Sequence, residues 1–169
     1  MMLDIDIDAD PEWDSSTGWE PLVREAAEAA IAESAFAGLA YARRAVELSV
    51  RLTGNDEVRT LNARWRGKDS PTNVLSFPQL EPGQLGAIDE QGPELLLGDL
   101  VLAREICERE AEEKNLPLES HAAHLIVHGT LHLLGYDHAD EQSAEEMESR
   151  EVRALARLGI ADPYLLEES

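Results

Sequence analysis

Cysteine is almost missing from this chain. Cys107 is the only one among 169 residues, which excludes an intrachain disulfide and leaves no expected disulfide-linked partner. A reducing cytosol fits that usage, and Cys107 itself reads as a small hydrophobe in a helix. Long apolar runs are missing too. No stretch approaches the roughly 20 residues of a membrane-spanning helix, so no membrane partner is expected. The opening Met1-Met2-Leu3-Asp4-Ile5-Asp6 is acidic and alternating, unlike the basic and then apolar start of a secretory signal. The expected location is the cytoplasm. Basic residues are scarce: 14 Lys and Arg stand against 35 Asp and Glu, for a net charge of −21. Phosphate contacts need Lys and Arg, so indiscriminate nucleic-acid binding is argued against. There is no internal repeat and no low-complexity tract.

What is present suits one domain spanning 1–169, long enough to bury a core without staples. The apolar fraction of 43% is ordinary for a globular protein. Charge is unevenly spread. Seven of the basic residues fall between Arg43 and Lys68 (Arg43, Arg44, Arg51, Arg59, Arg64, Arg66, Lys68), giving residues 43–69 a charge of +3 while the remainder carries −24. Such a face is compatible with selective RNA binding, with Arg59, Arg64 and Lys68 as candidate contacts, or is a set of solvated side chains.

Leu3, Ile5 and Ile7 alternate with aspartates as in an edge or half-buried strand. Glu20 to Ala32 has helical spacing with Pro21 in its first turn. A second strand runs from Ala45 to Leu52, and Asn55 is a candidate cap for a short helix to about Arg64. Asn73 to Phe77 reads as a third strand, closed by Pro78. The Pro- and Gly-bearing segment from Gln79 to Gly92 is a loop. Glu94 to Val101 is a fourth strand, Leu102 to Lys114 a helix, Leu116 to Leu134 another, and Asp140 or Ser143 caps a last helix reaching Leu158. The short link between the third and fourth strands permits an antiparallel pair. The fold class is α+β, a small sheet of about four strands packed with helices.

The chemistry is concentrated in His128-Gly129-Thr130-Leu131-His132-Leu133-Leu134-Gly135-Tyr136-Asp137-His138. Histidines four apart on a helix share a face, so two imidazoles reach one ion. Gly135 can adopt the positive-φ conformation that ends a helix and swings a third histidine back. Three neutral imidazoles with an open fourth position make a catalytic zinc site, so His128, His132 and His138 are the candidate ligands of one Zn²⁺, on this helix and the turn after it. His121, near the helix start, is read as carrying no function. His124 either supports a ligand from behind or is a packed side chain. Asp137 either orients a ligand or is an ordinary turn residue. The spacing His-x3-His-x2-Gly-x2-His is also that of the metzincin proteases, but their general-base glutamate is replaced here by Gly129. A metal-dependent peptidase or amidase is therefore a weakened alternative. Arg66, taken alone, is a surface loop residue.

The histidine run resembles the signature of the YbeY family, bacterial endoribonucleases of ribosomal RNA maturation. Similar to that family as well are Leu61-Asn62-Ala63-Arg64-Trp65-Arg66-Gly67-Lys68-Asp69-Ser70-Pro71-Thr72-Asn73-Val74-Leu75-Ser76-Phe77-Pro78, then Leu97-Gly98-Asp99-Leu100-Val101, and the tail Asp162-Pro163-Tyr164. The resemblance runs from about Leu61 to Tyr164. It implies a compact α+β fold with a small mixed sheet, and zinc on His128, His132 and His138. It also implies that Arg66 is the functional arginine near the metal, and that Asn73 and Ser76 line the cleft. Arg66 and His128 are then the candidate catalytic residues. The implied activity is zinc-dependent cleavage of single-stranded RNA, in 3′-end processing of small-subunit ribosomal RNA and in ribosome quality control. Implied partners are a ribosomal RNA precursor and the small subunit or ribosome-associated proteins. The family's cleft is basic and this chain is acidic, so a non-catalytic, zinc-stabilised ribosome assembly factor is a further alternative.

Overall fold

The structure is a computed structural model that describes residues 3–13, 18–37, 45–80, 95–137 and 139–164. The element order is β1 (Leu3–Ala9), α1 (Trp19–Ala32), β2 (Val46–Thr53), α2 (Asn55–Arg66), β3 (Val74–Pro78), β4 (Leu95–Ala103), α3 (Arg104–Glu113), α4 (Leu118–Leu133) and α5 (Glu141–Arg157). The four strands form one mixed sheet in the order β1-β2-β4-β3. β2 runs parallel to both β1 and β4, while β3 lies antiparallel to β4 as the short link suggested. The expected α+β architecture with a small mixed sheet is what the chain adopts. The candidate loop from Gln79 to Gly92 falls, beyond Leu80, outside the described residues, as do Arg43 and Arg44.

The period-two pattern of β2 turns Val46, Leu48, Val50 and Leu52 toward one core, where they meet α1, α4 and α5. On β4 the same core takes Leu95 and Leu97 and then Leu100 and Leu102. This change of parity has a simple cause. Glu47 pairs with Leu96 but Leu48 pairs with Gly98, so Leu97 is an extra residue and everything after it flips face. The other face carries a smaller cluster of Val58, Leu75, Val101, Ala103 and Ile106 beneath α2 and α3. Each fully buried Leu contributes roughly 1.5–3 kcal/mol of apolar transfer free energy. The site-bearing helix α4 thus rests on a packed sheet.

Several boundaries shift by a residue or two from the sequence reading, α2 reaching Arg66 among them, and two differences have a contact behind them. β4 extends to Ala103, because Leu102 and Ala103 pair with Leu52 and Thr53, so the helix starts at Arg104. Asn55 is not the cap of α2. Gly54 occupies that position without a side-chain bond, and the Asn55 N–H donates instead to Glu105 Oε2 at 3.0 Å. A carboxylate from α3 satisfies an orphan donor at the positive end of the helix. At α5, Asp140 is the cap, its Oδ1 accepting from Ser143 N at 2.7 Å.

Candidate metal centre

His128 and His132 sit one turn apart on α4, and their Nε2 atoms face each other at 3.1 Å. α4 lies close against the sheet at this level, and Gly129 permits it. A Cβ there would stand 2.7 Å from Leu100 Cδ2 and 3.2 Å from Ser76 Oγ. A glutamate there would have to displace the Leu100 side chain. α4 closes at Leu134, and Gly135 takes φ +99°, the positive-φ turn expected of it. His138 lies outside the described residues, and among those described no third ligand joins the pair.

The two histidines open onto a cleft of about 330 Å³, whose other walls are Arg66, Asn73, Val74, Ser76 and Pro78. Arg66 ends α2, and Asn73 with the β3 strand that follows it makes the remaining wall, so three separate elements converge. Four sequence candidates, Arg66, Asn73, Ser76 and His128, are brought together with His132 in this way. Asn73 is held on both sides: its Oδ1 accepts from Val74 N at 2.7 Å and its Nδ2 donates to Glu110 Oε1 at 3.1 Å. His121, buried on α4, bonds that same Glu110 oxygen through Nε2 at 2.9 Å. The hydrogen bond from His121 is the main reason the Glu110 carboxyl lies below its ordinary range.

Other candidates stand elsewhere. Arg59 forms a two-pronged pair with Asp69 at 2.8 and 3.2 Å, and Arg64 stacks over Trp65 at 5.2 Å. Lys68 is exposed just past α2. None of the three lines the cleft. Asp137 is exposed and accepts from Ala139 N at 3.0 Å, a turn contact.

One residue that the sequence reading did not single out lies at the centre of the site. Glu151 of α5 is fully buried. Its Oε1 bonds His128 Nδ1, and its Oε2 bonds His124 Nε2 at 3.2 Å and the Tyr164 hydroxyl. Burial pushes the Glu151 carboxyl up, but the hydrogen bonds from His124, His128 and Tyr164, with the charge of His128, outweigh it and hold it at about 2. An ionised carboxylate only accepts, so each nitrogen facing it carries the hydrogen. The available signal was Glu151 standing in the apolar stripe Met147, Ala154, Leu155 of α5, where an acid is out of place.

The pair fits a zinc ion. With Zn–N bonds of roughly 2.05 Å, tetrahedral geometry sets two ligand nitrogens about 3.3 Å apart, close to the observed 3.1 Å. Two neutral imidazole lone pairs brought that close otherwise repel, unless one nitrogen holds a proton or a cation lies between them.

Comparison with known proteins gives the family. The family model described as "Endoribonuclease YbeY" matches residues 10–159. Curated relatives named Endoribonuclease YbeY include one from Rhizorhabdus wittichii, 49% identical over 168 residues and 99% of each chain. Another from Sphingopyxis alaskensis is 53% identical over 164 residues, covering 96% of this chain and 98% of the relative. Among solved structures, the solution structure of a Thermotoga maritima protein superposes with a TM-score of 0.55 at 25% identity, covering 98% of this chain and 97% of that one. The chain belongs to the endoribonuclease YbeY family.

Proposed function

We propose that this protein is a zinc-dependent endoribonuclease that cuts single-stranded RNA during maturation of the 3′ end of small-subunit ribosomal RNA, with a part in ribosome quality control. The observation that carries the reading is the convergence of Arg66, Ser76 and the His128–His132 pair on one open cleft. His128 and His132, with His138 as third ligand, would hold the ion. Bound there, zinc supplies Lewis acidity toward the scissile phosphodiester or a water. Arg66, a cation among the cleft walls, would stabilise the negative charge that builds on the phosphorus centre. Ser76 and Asn73 offer polar groups to the phosphate or ribose. Glu151 is sealed beneath His128 and cannot reach the cleft, so it is not the base that activates the nucleophile. The RNA partner enters as a ribosomal RNA precursor, alone or on the small subunit.

The test is cleavage of a labelled single-stranded RNA from the precursor 3′ end by the zinc-loaded protein. His132→Ala and Arg66→Gln variants, purified identically, run beside it. Loss of cutting in both folded variants, by roughly 100-fold or more for a lost charge-stabilising donor, supports the proposal. Equal cutting by all three exposes a contaminating ribonuclease. Zinc-dependent folding without cleavage, on free RNA and on ribosomal particles, favours the assembly factor instead. Product ends identify the nucleophile, since a 2′,3′-cyclic phosphate excludes direct attack by water.

A further inference from the structure

We propose that Glu151 is the positioning residue of the metal centre: it fixes His128 as the Nδ1–H tautomer and so delivers the Nε2 lone pair to the cleft. The inference rests on the metal reading above and adds a residue that neither the ligand spacing nor the cleft lining contains.

Three observations support it. First, Glu151 has no solvent exposure and comes from α5, whereas the histidines are on α4, so the contact is tertiary. A carboxylate with no access to water is tolerated only when its oxygens are satisfied. Here three donors do that: His128 on one oxygen, His124 and Tyr164 on the other. Second, the bond is made at Nδ1 of His128, the nitrogen turned away from His132, while Nε2 is the atom that faces His132 at 3.1 Å. Neutral imidazole has one N–H, so a proton held at Nδ1 leaves Nε2 as the lone-pair nitrogen. Third, Glu151 is itself clamped. The His124 and Tyr164 rings meet edge to face, 5.7 Å apart at 86°, and both polar tips point at Oε2. A ring so oriented loses little rotational freedom on metal binding, and the carboxylate raises its basicity as a ligand. His124 thus supports a ligand from behind, one of the two alternatives its position allowed, and Tyr164 ties the chain's last described turn to the site.

The experiment reads tautomer and metal affinity separately. In the metal-free protein at mildly alkaline pH, where free imidazole is neutral, nitrogen-15 NMR of the His128 ring is expected to show a protonated Nδ1 and an unprotonated Nε2. Glu151→Gln is expected to shift that balance toward the other tautomer. Competition against a chromogenic chelator is expected to show zinc binding weakened about 10- to 100-fold in Glu151→Gln. Tyr164→Phe, which keeps the ring and removes one donor, is expected to lose about threefold to tenfold. Cobalt-substituted protein supplies a spectroscopic signature, and its visible bands are expected to change in Glu151→Gln. His132→Ala, which removes a ligand outright, tests the metal reading on its own.

A His128 ring protonated at Nε2 in the wild type overturns the proposal. So does zinc bound as tightly by Glu151→Gln and Tyr164→Phe as by the wild type, while His132→Ala binds weakly; the metal reading then stands without Glu151. Absence of zinc binding by the wild type overturns the metal reading and this role together. If Glu151→Gln fails to fold, Tyr164→Phe decides by the same readouts, and an unchanged affinity there rejects the clamp.

Discussion

Glu151 ties the stability of the fold to pH. Its folded-state carboxyl lies at about 2, below the ordinary 4.5. A depressed carboxyl stabilises the folded state above its unfolded value and loses that contribution as pH falls toward the folded one. The metal-free protein is therefore expected to lose stability on acidification between about 4.5 and 2, and Glu151→Gln should flatten that limb. Urea midpoints taken across the interval provide the check, and parallel wild-type and variant curves would contradict the assignment. Cys107 shows burial acting with no competing partner of comparable strength. Desolvation, with Glu110 and Glu108 nearby, pushes its thiol up to about 12. Thiolate is the reactive form, so the folded protein should resist alkylation at neutral pH and react stoichiometrically in denaturant.

Gly129 belongs to the scale of elements, because it sets how closely α4 approaches β3 and β4. Replacing it with Glu restores the metzincin sequence on paper. In this fold the new side chain meets Leu100 and Ser76 within 2.7 and 3.2 Å of its first carbon. Overpacking alone costs about 1–3 kcal/mol, and a carboxylate driven into that contact adds more. Gly129→Glu should lower the thermal midpoint by several degrees or more without creating peptidase activity. Robust folding together with protein cleavage would show that the helix can retreat from the sheet. The spacing of His128 and His132, the cap at Asp140 and the alternation in β2 were legible in the sequence because each is local. Three features were not, because each depends on contacts distant in sequence. The bulge at Leu97 is defined by its register against β2, and the α2 terminus is satisfied by Glu105 from α3. Glu151 meets His128 across 23 residues, and its role is visible only once α5 lies against α4. The third expected ligand, His138, remains an inference from spacing.

At the scale of the whole molecule, a net charge of −21 faces a polyanionic substrate. The distribution of ion pairs sharpens the problem. Arg51 is engaged by Asp8, Asp10 and Glu57; Arg59 by Asp69; Arg104 by Glu108; Arg150 by Glu146; and Arg153 and Arg157 by Glu33. Most described cations are thus turned inward on the protein's own acids. Arg64, Arg66 and Lys68, at the end of α2, carry no such ion pair among the described residues, and of the three Arg66 lines the cleft, which leaves a short cationic run on an acidic body. Each phosphate neutralised on a single strand changes log K by about 0.7 per decade of salt. Three contacts give a slope of about −2, and Arg66→Gln should reduce its magnitude by about 0.7. Binding of a short single-stranded RNA to the zinc-loaded protein, titrated across a series of salt concentrations, measures both numbers. A slope of about −5 or steeper would place the RNA on a wider basic surface than this run. A slope near −2 whose magnitude falls with Arg66→Gln would confine contact to the end of α2, as expected of an acidic nuclease that holds its substrate along one short cationic run and repels it elsewhere.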